Sequence, residues 1–198
     1  LAAGVKNHAE QLVVRHQSQT MADLNHLATR FRLDLLDTAA LVRVAEQLLE
    51  EERDTPAVIG LLTLENPIFA DAAQLFEKLC LEQGIVIPTK DEAIINLLRL
   101  QLDSIASGAI VPHEGLAAMM REIYFPYFAG EPCKKYVGDS RGLEHLVGAF
   151  WNYDDLIEHP NRVSWDGKYG TAAITAWEAS VRQYARDWIT KHNRVAGS

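Results

Sequence analysis

The sequence predicts an all-α fold, an irregular bundle of about six to eight helices with no significant sheet. Three observations predict it. Apolar residues recur at helical spacing through most of the 198 residues. Helix start and stop signals bracket those runs. No segment alternates apolar and polar residues over the length of a strand.

The first segment, residues 2–33, has no Gly beyond Gly4 and no Pro, and Val5, Leu12, Leu24, Leu27 and Phe31 fall near helical spacing. Asp37 reads as an N-cap for a helix from Thr38 to Glu52 with Leu41, Val44, Ala45 and Leu48 on one stripe. Thr55-Pro56 is a cap followed by Pro at the first helical position, and it opens a short helix ending near Asn66-Pro67. The next helix runs from Ile68 to Gln83 with Gly84 as its C-terminal stop. Residues 85–88 form an extended connector. Thr89 and Glu92 make a capping box before a helix that carries Ile94, Ile95, Leu98, Leu102 and Ile105 and stops at Gly108. Pro112 opens another, with Leu116, Met119, Met120 and Ile123.

The composition then changes. Of the 16 aromatic residues, 13 lie between Tyr124 and Trp188. Two Pro, two Gly and Lys134-Lys135 make residues 125–140 a long loop. Residues 142–157 are expected to be helical, with Asp139-Ser140 as their N-cap and Leu143, Leu146, Val147, Phe150, Tyr153 and Ile157 on one face. Turns follow around Asp166-Gly167. A last helix from Thr171 to His192 carries Ile174, Trp177, Val181, Tyr184, Ala185 and Trp188. The length suits a single helical domain, 1–198, made of a plain helical part (1–124), the loop (125–140) and an aromatic-rich helical part (141–198).

The net charge is −8, and residues 31–120 hold six Lys or Arg against fifteen Asp or Glu. An acidic chain repels the phosphate backbone, so no nucleic acid is expected; a protein partner, possibly basic, fits better. No apolar run has the roughly 18 residues that cross a bilayer, and no signal-peptide pattern stands at the N-terminus, so no membrane is expected either. Two cysteines, Cys80 and Cys133, without a CxxC pair, suit reduced thiols and a cytoplasmic location.

Asp154-Asp155-Leu156-Ile157-Glu158 has the spelling DDxxE. It resembles the aspartate-rich motif of the isoprenoid synthases, which are also all-helical. The resemblance covers five residues and implies magnesium and a diphosphate. At about 100° per residue Asp154 and Asp155 diverge on a helix, and no second metal-binding motif stands elsewhere. Glu144, His145, Asp155 and His159 form a looser constellation. The alternative function is therefore a metal-dependent hydrolase or lyase built on Asp154, Asp155, Glu158 and His159 with Glu144 and His145, and a divalent metal belongs to that reading only. His8 and His26 share an azimuth but stand about 27 Å apart along a straight helix, too far for one zinc ion. His8, His16 and His26 are therefore expected to be surface residues. Cys133 lies beside two cations that would lower a thiol pKa, but no base is identifiable for it.

No phosphate loop, nucleophile elbow or kinase motif occurs. The first expectation is a non-enzymatic helical binding or regulatory protein, with no cofactor, that recognises another protein or a small anionic ligand. The densest mixture of ionisable and aromatic side chains marks its site: Lys134, Lys135, Tyr136, Arg141, Glu144 and His145. A helix N-terminus there would offer backbone N–H groups to an anion.

Overall fold

In a computed structural model of the chain, residues 23–193 are described. Among them the fold is all-α, with eight α-helices and no strand. The packing divides the chain into two compact units, and the boundary falls between Ile94 and Ile95.

The first unit holds α1 (residues 23–32), α2 (Thr38–Glu50), α3 (Pro56–Leu62), α4 (Phe69–Glu82) and the start of α5 (Lys90–Ser107). The earlier part of the expected first helix, with Val5, His8, Leu12 and His16, lies outside the described residues. The local signals act as read. Asp37 accepts from the Ala40 amide at 2.7 Å and caps α2, and Thr55 caps α3. The Glu92 carboxylate accepts from the backbone and hydroxyl of Thr89, which holds its pKa below the usual range. Gly84, at φ +70°, ends α4: its amide reaches Leu81 and that of Ile85 reaches Cys80. Glu52 falls outside α2, because the chain has already turned left-handed there, at φ +57°. Leu41, Val44, Ala45 and Leu48 pack with Ala57, Val58, Leu61, Phe76 and Leu79 in one buried cluster. Burial, aided by the charge of Glu77, pushes the Cys80 thiol up to about 12, which makes it inert.

The second unit holds the rest of α5, α6 (Pro112–Met119), a π-helix (Met120–Phe128), a 3₁₀ turn (Asp139–Arg141), α7 (Glu144–Glu158) and α8 (Gly170–Asn193). α6 comes so close to α5 that a Cβ on Gly115 would lie 2.4 Å from Ile105. The loop expected from residue 125 starts later, because the helix continues through Pro126 to Phe128. Proline would clash with a carbonyl in an α-helix and has no N–H to give. The wider π turn accommodates it, closing with a bond from the Ala129 amide to the Tyr124 carbonyl at 2.9 Å.

α7 starts at Glu144 rather than Gly142, because Gly142 stands at φ +68°. Its buried face includes Leu156, while Ile157 is exposed, which corrects the expected stripe. Either residue continues a helical stripe, and the packing against other helices selects the 146–149–156 line. Trp165 and Lys168 exchange backbone bonds across Asp166-Gly167, both at positive φ, which is a tight type I′ reversal. α8 buries Ala173, Trp177, Val181, Ala185 and Trp188, with Ile174 and Tyr184 half-buried. α7 is the helix that α8 packs against most.

Trp177 is fully buried, touches the Tyr153 ring and donates its indole N–H to the Ala149 carbonyl at 3.0 Å. Trp177→Ala removes that packing and that bond. A loss of about 3 to 5 kcal/mol is expected. Denaturant unfolding checks it, and a variant as stable as the parent would remove Trp177 from the core.

Candidate functional site

The segment after the π-helix carries little regular structure, so its order rests on side chains. Asp139 does not cap α7. Its carboxylate turns back and accepts the amides of Lys134 at 2.9 Å, Lys135 at 2.6 Å and Tyr136 at 2.9 Å. A short polar side chain near its own loop competes for backbone donors in this way. The bonds from the backbone of Tyr136, then Lys134 and Lys135, hold its pKa below the usual carboxylate range. α7 begins after Leu143 with no side-chain cap.

Arg141 is also committed. Its Nε lies 2.9 Å from both oxygens of Glu131, and its Nη2 also bonds that carboxylate. The Arg141 hydrogen bond, foremost, holds the Glu131 carboxyl below its ordinary value. Ser140 bonds the same carboxylate, and the guanidinium sits 5.0 Å over the Phe128 ring. The Arg141 carbonyl accepts the Trp188 indole N–H at 2.9 Å. Glycines at 138 and 142, φ +86° and +68°, let the chain reverse tightly enough to make these contacts.

The result is a groove of about 370 Å³. Tyr136 and Val137 line one side, and Glu144, His145, Val147, Gly148 and Trp151 of α7 line the other. Tyr136, Val137 and Trp151 are each more than half exposed. Trp151 is steadied by the edges of Phe125 and Phe150 at 6.3 and 5.2 Å. The His145 ring stacks on Tyr184 of α8 at 5.0 Å. Lys135 places its ammonium 4.9 Å over the Tyr136 ring. Glu144 has one oxygen, Oε2, that is covered and has no hydrogen-bond partner among the described residues. Leaving a covered acceptor unsatisfied costs about 1 to 3 kcal/mol.

Gly148 stands mid-helix in the groove wall. A Cβ there would meet nothing within 4 Å. Packing therefore does not require this glycine, unlike Gly115. Its missing side chain widens the groove, at a cost to α7 of roughly 0.5 to 1 kcal/mol.

The fold thus brings Tyr136, Glu144 and His145 of the expected site together. Lys134, Lys135 and Arg141 do not line the groove: Arg141 is paired with Glu131, the Lys135 ammonium stands over the Tyr136 ring, and Lys134 gives Asp139 its backbone amide. Arg141 has its partner ten residues away in sequence, while the Lys134 and Lys135 side chains are exposed. Sequence reasoning missed Val137, Gly148 and Trp151. The unforced mid-helix Gly148 was the readable signal. Cys133 is exposed and is not among the groove residues.

Asp154, Asp155, Glu158 and His159 are all exposed near the C-terminal end of α7. Among the described residues no group of three or more His, Cys, Asp or Glu stands close enough to hold a metal ion. The alternative metal reading therefore has no site there. A second hollow of about 480 Å³ in the first unit is lined by Arg30, Asp34, Leu35, Leu36, Asp37, Ala40 and Arg43. Its Asp37 already serves as the α2 cap and lies 4.0 Å from Arg43. No described helix is long and apolar enough to cross a membrane. No family model matches the chain, and no curated protein or solved structure matches it.

Two outcomes are expected of this geometry. The Asp139 clamp has a lowered folded-state pKa, so it is complete above the usual aspartate range and is lost as pH falls through the lowered value. Amide protection at Lys134, Lys135 and Tyr136 should follow that course, and Asp139→Asn should show reduced protection already at neutral pH. Protection that is flat with pH, or unchanged in the variant, would mean that Asp139 does not order the segment. Gly148→Ala should stabilise the protein by about 0.5 to 1 kcal/mol while narrowing the groove. A destabilised variant would show that the packing does require glycine there.

Proposed function

We propose that this chain is a non-enzymatic binding protein whose second unit receives a segment of a partner protein in the groove beside α7. The observation that carries the reading is the exposed pair Tyr136 and Trp151 across a groove widened by an unforced glycine. Tyrosine and tryptophan are the side chains that most often dominate binding energy at protein interfaces. Large exposed aromatic groups in contact with one another mark interaction surfaces.

The internal partners of Lys135 and Arg141 favour a protein segment over a small anionic ligand. A basic partner suits the net charge of −8, which raises encounter rates with cations. Two free thiols, one of them exposed, suit the cytoplasm.

The test is a random-peptide display selection on the whole protein, followed by affinity measurements on Tyr136→Ala and Trp151→Ala. Both variants should melt close to the parent, because the side chains are exposed. Each should weaken selected peptides by tenfold or more, the behaviour of an interface anchor worth about 1.4 kcal/mol or more. Peptides that bind parent and both variants equally would overturn the reading.

A further inference from the structure

The chain has four tryptophans, and three of them direct the indole N–H to an acceptor: Trp165 to the Ser180 hydroxyl, Trp177 to the Ala149 carbonyl and Trp188 to the Arg141 carbonyl. Trp151, in the groove wall, is placed differently. Among the described residues no hydrogen bond holds its N–H, and it is more than half exposed. Two rings orient it, Phe150 at 5.2 Å and Phe125 at 6.3 Å. Phe150 is its neighbour on α7 and travels with that helix. Phe125 belongs to the π-helix, so its ring ties Trp151 to a second element. Phe125 is itself about half exposed, and burial contributes little to its placement. The backbone register sets its direction: Tyr124 before it is buried, and the turn closes from the Ala129 amide onto the Tyr124 carbonyl at 2.9 Å. Pro126 follows Phe125 directly. In an α register its ring would collide with the Glu122 carbonyl and leave that carbonyl without a donor. An interior proline costs a helix stability, and π turns recur at functional sites.

We infer that Pro126 is a positioning residue for the groove. By holding Met120–Phe128 in the π register it keeps the Phe125 ring against Trp151, and that contact fixes the indole in the orientation that meets a partner. The last step rests on the protein-binding reading above; the placement of Trp151 does not. A π turn holds one residue more than an α turn. A return to the α register therefore turns Phe125 by about 100° relative to the buried residues before it. A ring moved that far leaves Trp151 with Phe150 alone. The indole then samples several rotamers, and a partner that binds one of them meets it only part of the time, which lowers affinity. Pro126 acts here without lining the groove.

Three variants of the intact protein test it: Pro126→Ala, Phe125→Ala and Phe125→Tyr. One readout is the indole N–H signal of Trp151, assigned with Trp151→Phe, with the other three indoles as internal controls. The other is the affinity of display-selected peptides that Trp151→Ala weakens. Pro126→Ala restores the missing donor and removes the clash. It should shift and broaden the Trp151 signal, leave the other three in place and weaken the peptides about tenfold. Phe125→Ala should do the same with the backbone register kept. Phe125→Tyr keeps the ring and should behave as the parent. An unmoved Trp151 signal in Pro126→Ala, or a disturbance of all four indoles, overturns the role given to Pro126. A Trp151 signal unmoved in Phe125→Ala overturns the route through Phe125, whatever Pro126→Ala does. A moved indole with peptide affinity intact overturns the link from orientation to recognition. Should Trp151→Ala bind every selected peptide as the parent does, the docking reading fails instead, and the indole signals still decide the positioning.

Discussion

Two buried indoles on α8 hold the second unit together. Trp177 and Trp188 are eleven residues apart, three helical turns, so they lie on one stripe. An indole N–H taken out of water needs an acceptor. Trp177 finds the Ala149 carbonyl in the middle of α7, and Trp188 finds the Arg141 carbonyl in the turn that leads into it. A bulky apolar ring with a single directed donor fixes both distance and rotation. α7 is thereby set against α8 at two heights, and the turn before it cannot drift. The groove depends on that, since one of its walls is α7 and the other is a few residues from Arg141.

The second wall is ordered by charge rather than by burial. Tyr136 and Val137 are too exposed to be held by the hydrophobic effect. Three amides gathered on Asp139, and a bidentate Glu131–Arg141 pair, do that work from behind. An exposed pair of this kind contributes little to global stability. Its effect is local: it removes conformations from a short segment and so lowers the entropy cost of binding anything that segment touches.

Much of the first unit was legible because its signals are local. A cap needs its acceptor and donor within three residues, so Asp37, Thr55 and the Thr89–Glu92 box read correctly. Gly84 and Asp166-Gly167 read correctly because positive φ has few tenants. The failures have a different origin. Pro126 reads as a breaker, and only the π geometry keeps the helix going. Asp139 has the spelling of a cap but two competing sets of donors, and the loop amides win. The choice of Leu156 over Ile157 belongs to packing between helices, which no single helix encodes. Arg141 looked available as a cation because its pairing with Glu131, ten residues away, leaves no trace in composition. The groove holds Tyr136, Glu144 and His145 of the residues the sequence pointed to, beside Val137, Gly148 and Trp151, which it did not.

Two cations of the segment, Arg141 and Lys135, help to build the wall, through Glu131 and the Tyr136 ring. The carboxylate lining the groove, Glu144, has a covered oxygen that no described residue satisfies. Because the supports are exposed polar contacts and the core lies along α7 and α8, side chains in the groove can change without disturbing either. The core and the groove thus draw on different residues of one helix: the 146–149–156 line of α7 for the core, and 144, 148 and 151 for the groove.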